Sequence, residues 1–94
     1  MEQAINGSAD KRTVVVNQLV YSYQAKPFVL VNTLGFIRAV LTEYTVSGIN
    51  GEMYKLYKTT EHNWYDIEDA NPGAGSSLLG LLKVEIDSKE KNGV

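Results

Sequence analysis

Several stretches of the chain combine β-branched and aromatic residues with an alternation of apolar and polar positions, which predicts β-strands. Residues 13–23 are the first such stretch and are expected to form one strand. Lys26-Pro27 interrupts the pattern, because proline cannot donate a hydrogen bond to a neighbouring strand. Residues 28–31 then resume it. The simplest connection is a hairpin that turns near residues 25–27.

Residues 33–43 allow two interpretations. Apolar residues recur at helical spacing behind a residue that can cap a helix, as in Leu34, Ile37, Leu41 and Tyr44 after Asn32 or Thr33. Other residues of the segment suit a helix poorly, namely Gly35, Val40 and Thr42. A short helix is the first expectation. The alternative is a turn at residues 32–35 followed by a continuous strand from Phe36.

Asn50-Gly51 is the preferred residue pair of a two-residue type I′ turn, and alternating runs flank it, so a β-hairpin is predicted there. A two-residue loop would fix the register, pairing Val46 with Lys55, Tyr44 with Tyr57 and Glu43 with Lys58. One face would then carry the core residues Tyr44, Val46, Met53 and Tyr57. The opposite face would carry Ile49, Tyr54 and Leu56, which need cover. A further strand, residues 64–67, is expected after a turn at residues 61–63.

The end of the chain predicts a helix that begins after the loop at residues 70–77. Leucine and isoleucine form an apolar stripe at helical spacing, in Leu78, Leu79, Leu82 and Ile86. Against a helix, Leu82, Val84 and Ile86 alternate strictly with charged residues, as in a half-buried edge strand. The helix is the preferred interpretation.

Together these elements predict an α+β fold, with an antiparallel sheet of about four or five strands and the C-terminal helix packed on one face. The alternative is a small all-β half-barrel. A chain of 94 residues is long enough for one domain, spanning residues 1–94. Residues 1–11 and 88–94 are small or polar without periodicity, so flexible ends are expected.

Composition narrows the function classes. The chain has no cysteine, which excludes disulfides, a thiolate nucleophile and cysteine-based zinc sites. A net charge of -2 argues against nucleic-acid binding. The longest apolar stretch, residues 28–41, is too short to span a bilayer and contains Arg38. The first residues lack the basic and apolar regions of a secretory signal, so the cytoplasm is the expected location.

Charge is distributed unevenly, with six basic and four acidic residues in 1–58 but three basic and seven acidic residues in 59–94. The single histidine lies among the later acids, so an imidazole and carboxylates could bind a divalent cation or act as an acid/base pair. The metal candidates are His62, Asp66 and Glu68. Their spacing matches no established metal motif, and surface acids are more often simply solvated. A small metal-dependent or acid/base enzyme centred on His62 is the second functional hypothesis.

Aromatic residues are frequent and could form a surface for a ligand or partner, the candidates being Tyr54, Leu56, Trp64 and Tyr65. Residues 73–77 are glycine- and serine-rich but lack the lysine of a phosphate-binding loop, and no cofactor is expected. The first functional hypothesis is therefore a small non-catalytic binding or protein-interaction module. Its expected partner is a second copy in a weak homodimer, or another protein.

Overall fold

The computed structural model of the chain describes residues 11–67 and 70–92. These residues form a single α+β domain with a five-stranded antiparallel sheet in the order β1-β2-β3-β4-β5 and one helix. The elements are β1 (Arg12–Val16), β2 (Leu19–Val31), β3 (Ile37–Gly48), β4 (Met53–Thr59), β5 (Trp64–Tyr65) and α1 (Ser76–Asn92). The α+β prediction is confirmed, and the sheet is not closed into a barrel.

β1 and β2 are two strands where the sequence pattern suggested one. Asn17 and Gln18 separate them, and both have positive φ angles, of 53° and 68°. Two positive φ angles in a two-residue loop define the type I′ turn, and asparagine tolerates this conformation well. The turn lies within a stretch rich in strand-forming residues and contains no glycine. The sequence therefore carries no clear turn signal at this position.

β2 continues straight through Pro27, and the hairpin predicted near residues 25–27 is wrong. β1 begins at Arg12, which pairs with Tyr23, so further along β2 its only described neighbour is β3. A strand with an open edge tolerates a proline, because the position without an N–H group can face the edge where no neighbouring strand needs a hydrogen bond.

The helix predicted over residues 33–43 is also wrong, and the alternative of a turn followed by a strand is correct. The Asn32 side chain accepts hydrogen bonds from the backbone N–H groups of Leu34 (2.9 Å) and Phe36 (3.0 Å). Gly35 takes a left-handed φ of 88° that glycine adopts without strain. Residues 37–48 then pair with β2 along almost their whole length, and this pairing overrides the local helical spacing.

The hairpin at Asn50-Gly51 exists, but its register is shifted by one residue from the prediction. The loop has three residues, closed by the Gly48 N–H donating to the Glu52 carbonyl at 2.8 Å. Gly51 has a φ of 89°, as expected when a type I turn is followed by a left-handed residue. The observed pairs are Val46 with Tyr54, Tyr44 with Leu56 and Glu43 with Tyr57.

This shift exchanges the two faces of β4, since a one-residue slip turns every side chain over. Tyr54 and Leu56 lie on the face that α1 covers, which we call the helix-side face. Met53 and Tyr57, predicted in the core with Tyr44, lie on the opposite, open face. Lys58 pairs with Thr42 rather than with Glu43.

The C-terminal helix is confirmed and closes the core. Leu82 and Ile86 are fully buried against the sheet, while Val84 is 61 % exposed, which excludes the alternating strand. Both side chains pack on a cluster made of Val14, Val16, Tyr21, Tyr23, Tyr44, Val46 and Leu56. The helix continues to Asn92, past residue 88, where a flexible end was expected. Residues 1–10 and 93–94 lie outside the described residues.

Within residues 11–67 and 70–92, no helix combines the length and the apolar character needed to cross a bilayer.

Candidate interaction surface

The most prominent surface feature is a two-stranded projection formed by residues 27–40, which we call the arm. β1 reaches only as far as Tyr23 of β2, and β4 reaches only as far as Leu41 of β3. Beyond these points the described sheet narrows to β2 and β3, joined by the turn at Asn32. At about 3.3 Å per residue, each strand of the arm extends on the order of 15 Å past its neighbours.

The arm is apolar and uncovered among the described residues. Six of its large hydrophobic side chains are exposed, from 47 % to 78 %: Val29, Val31, Leu34, Phe36, Ile37 and Val40. Arg38 is the one charged residue in the arm. Exposed apolar residues are ordinary when scattered, but a contiguous group of this size marks an interaction surface.

The register assigns part of this apolar surface to the helix-side face. Pro27, Val29 and Val31 pair with Thr42, Val40 and Ile37, and they continue the alternation of the buried Tyr23 and Tyr44. The face that α1 covers over the core therefore runs on, uncovered by described residues, along the arm.

Two acidic side chains near the end of α1 form hydrogen bonds and ion pairs with residues of the sheet. Glu90 accepts hydrogen bonds from Arg12 and from the Tyr23 hydroxyl, the latter at 2.6 Å. Burial raises the pKa of the Glu90 carboxyl, but the hydrogen bonds from Arg12 and Tyr23 outweigh it, so the pKa lies below its ordinary value.

Asp87 makes the second attachment. It pairs with Lys58, and its other oxygen accepts a hydrogen bond from the Trp64 indole N–H at 2.8 Å. The Lys58 ammonium also lies 4.6 Å from the centre of the Trp64 ring, a cation–π contact. The uneven distribution of charge along the sequence thus produces ion pairs within the fold, because acidic residues of the second half of the chain bind basic residues of the first half.

A groove of about 490 Å³ opens at this end of the helix, lined by Lys58, His62, Asp87, Glu90 and Lys91. We call it the helix-end groove. Lys58 is paired with Thr42, and Thr42 with Pro27, so the groove adjoins the base of the arm on the helix-side face.

A smaller pocket of about 250 Å³ lies at the other end of the helix, between β4, β5 and residues 66–67 and 70–72. The Asn71 side chain closes one wall, because it exchanges two 2.7 Å hydrogen bonds with the backbone of Lys55. Lys83 reaches Asp66 across the pocket at 3.2 Å.

The four aromatic and apolar candidates from the sequence do not form one surface. Leu56 is 3 % exposed and packs beneath α1, and Tyr54 and Trp64 pack against the same core. Tyr65 is paired with Tyr57 on the open face and lines the smaller pocket. The expectation that Tyr54 and Leu56 need external cover is wrong, because the register shift places both under the helix.

The metal candidates are only partly placed. His62 is exposed in the turn between β4 and β5 and lines the helix-end groove, while Asp66 points to Lys83. Glu68 lies outside the described residues. In the described part of the chain no three His, Asp or Glu side chains are close enough together to hold a metal ion. The metal hypothesis stays a prediction, which a thermal-shift measurement with divalent cations tests.

The turn that carries His62 has the same form as the turns at Gly35 and Gly51. The Thr59 N–H donates to the Asn63 carbonyl at 2.7 Å, the His62 N–H donates to the Thr59 carbonyl at 3.0 Å, and the φ of His62 is 69°. His62 therefore occupies the position that glycine fills in the other two turns.

We predict that His62→Gly raises the free energy of unfolding by about 0.5–1 kcal/mol, because a Cβ atom is strained in the left-handed region. Chemical denaturation measures the change. His62→Ala is the matched control, since it removes the imidazole but keeps the Cβ atom. Equal free energies of unfolding for His62→Gly and His62→Ala would show that the backbone at this position is not strained.

A buried acidic group lies on the open face. Glu43 is 2 % exposed and accepts a 2.9 Å hydrogen bond from the Tyr57 hydroxyl, while Lys26 lies 3.2 Å from its other oxygen. Burial, and then the hydrogen bond to Glu43, raises the pKa of Tyr57 to about 12. Phe28 packs against Tyr57 with ring centres 5.0 Å apart and shields the pair from water.

No family model, curated protein or solved structure matches this chain. Function is therefore inferred from the arm and the grooves themselves.

Proposed function

We propose that the protein is a small non-catalytic interaction module that binds a protein partner through its arm. The observation that carries this proposal is the group of six exposed large apolar side chains on the arm. A two-stranded ribbon with exposed apolar residues is marginally stable in water by itself and gains stability when a partner covers it.

The composition of the arm favours a protein partner over a nucleic acid or a membrane surface. A nucleic-acid or anionic lipid site needs several basic groups, and residues 27–40 contain only Arg38. Aliphatic and aromatic side chains with few charges are typical of the central part of a protein interface. The cytoplasm stays the proposed location of the protein.

Site-specific photo-crosslinking in the native host tests the arm as the contact surface. The photoreactive residue p-benzoylphenylalanine replaces Phe36, which is 67 % exposed at the arm turn. The control carries the same residue at Ile49, which is 75 % exposed in a turn of the same form. We expect a discrete protein adduct at position 36 and none at position 49. Equal labelling at both positions, or no adduct at either, would refute the arm as a binding surface.

A further inference from the structure

We propose that the partner of the arm is a second copy of this chain, and that the two arms stack through their helix-side faces with each tip in the helix-end groove of the other copy. This inference rests on the proposed function, since it names the partner of the same surface. The contact is isologous, the commonest arrangement in protein dimers.

The layer spacing of the fold supports such stacking. A helix on a sheet and a sheet on a sheet both pack at about 10 Å. Glu90 contacts Tyr23, and Lys91 lines the groove with Lys58, so the end of α1 lies beside the base of the arm. A second arm laid on Val29, Val31 and Val40 then lies in the same layer as the helix. The arm of the second copy then covers the arm of the first copy, just as α1 covers the core of its own sheet.

The pairing of strands determines where the tips arrive. A two-fold axis along the arms would place the two α1 helices on top of each other, whereas an axis across the arms keeps them apart. We therefore take the arms to run in opposite directions, so the tip of one lies over the base of the other. The base contains Pro27 and Thr42, and Thr42 is paired with Lys58 of the helix-end groove. Leu34 and Phe36 of one copy therefore reach the groove of the other, close to Trp64.

The chemistry of the two surfaces agrees with this placement. The helix-side face of the arm consists mainly of β-branched side chains, so two copies stack without burying an unpaired charge. The helix-end groove combines the alkyl chains of Lys58 and Lys91 with the carboxylates of Asp87 and Glu90. It can therefore receive the apolar tip together with Arg38, which has no ion-pair partner among the described residues.

The exposed area suits a weak dimer. The six side chains expose on the order of 600 Å² per copy, somewhat less than the roughly 800 Å² that each partner contributes to a standard interface. Residues 1–10 of the same chain are a poorer cover, because Met1 and Ile5 are their only large hydrophobic residues. We therefore expect dimerisation at micromolar concentrations.

Light scattering and the emission of the single tryptophan, Trp64, test the inference on the full chain across a dilution series. We expect the mass to fall from two chains to one on dilution, with a parallel change in Trp64 emission. Phe36→Asp should weaken the dimer by about tenfold or more, as a central contact residue does. Ile49→Asp is the matched control and should leave both signals unchanged. Leu34→Asp is the second variant, and far-ultraviolet circular dichroism verifies that each variant is folded.

Each other outcome overturns the inference in a recognisable way. A monomer at all concentrations excludes the second copy, and self-association only after removal of residues 1–10 would identify that segment as the cover. A dimer that survives both Phe36→Asp and Leu34→Asp uses another surface. A dimer that needs Phe36 but leaves Trp64 emission unchanged has no tip in the groove. An adduct at position 36 to a different protein would uphold the proposed function while excluding this partner.

Discussion

Leu82→Ala is expected to lower the free energy of unfolding by about 2–5 kcal/mol, the range for truncating a large aliphatic side chain in a packed core. Leu82 is fully buried and belongs to a core cluster that includes Val14, Tyr23, Val46 and Leu56, one residue from each of four strands. In a domain this small, such a loss lowers Tm by about 10 °C or more. Denaturant titration followed by circular dichroism measures the change.

Val84→Ala is the matched control on the same helix. Its side chain is 61 % exposed, so truncation removes little packing and the stability should change by no more than about 0.5 kcal/mol. Equal effects of the two substitutions would show that Leu82 is not the side chain that joins α1 to the sheet.

Tyr57→Phe is expected to cost about 1–3 kcal/mol, because it leaves the buried Glu43 carboxylate without the hydroxyl that donates to it. Tyr65→Phe is the control, since Tyr65 is on the same face and its hydroxyl has no hydrogen-bond partner among the described residues. Adding Glu43→Leu to Tyr57→Phe should recover most of the loss, because both polar partners are then removed. If the double variant remains as unstable as Tyr57→Phe, the loss of stability comes from packing around Tyr57 and not from the unpaired carboxylate.

The same pair predicts how stability depends on alkaline pH. The pKa of Tyr57 is about 12 in the folded chain and about 10 in an unfolded one. The unfolded state therefore releases this proton first, and the stability present below pH 10 is lost as the pH rises towards 12. The decline in the free energy of unfolding should be shallower in Tyr57→Phe than in the wild type. Parallel curves would contradict the raised pKa.

Elements whose secondary structure is determined by their own local residues were predictable from the sequence. The C-terminal helix follows from the stripe of Leu82 and Ile86, and the hairpin at Asn50-Gly51 follows from its turn residues. Its register was not predictable, because Asn-Gly fits both a two-residue and a three-residue loop. For the first half of β3 the helix was the wrong expectation and the strand from Phe36 the correct alternative, because pairing with β2 overrides the helical spacing.

The interaction surface was hidden for the same reason. The spacing of Leu34 and Ile37 predicts one stripe of a short helix, whereas the observed turn at Asn32 exposes them at the end of the arm. The alternation on both sides of residues 32–35 was the available signal. The pairing of Asp87 with Lys58 depends on how α1 crosses the sheet, and no local pattern indicates that crossing.

The attachment of Glu90 to Arg12 has a consequence for the order of folding during synthesis. Each strand pairs with its neighbour in sequence, so the sheet can form step by step as the chain emerges. Its apolar face, however, gains its cover only when α1 arrives, and the last contact joins residues 78 positions apart. A chain whose sheet has formed before α1 docks would therefore expose the apolar face, and this is the state most prone to aggregation and to chaperone binding.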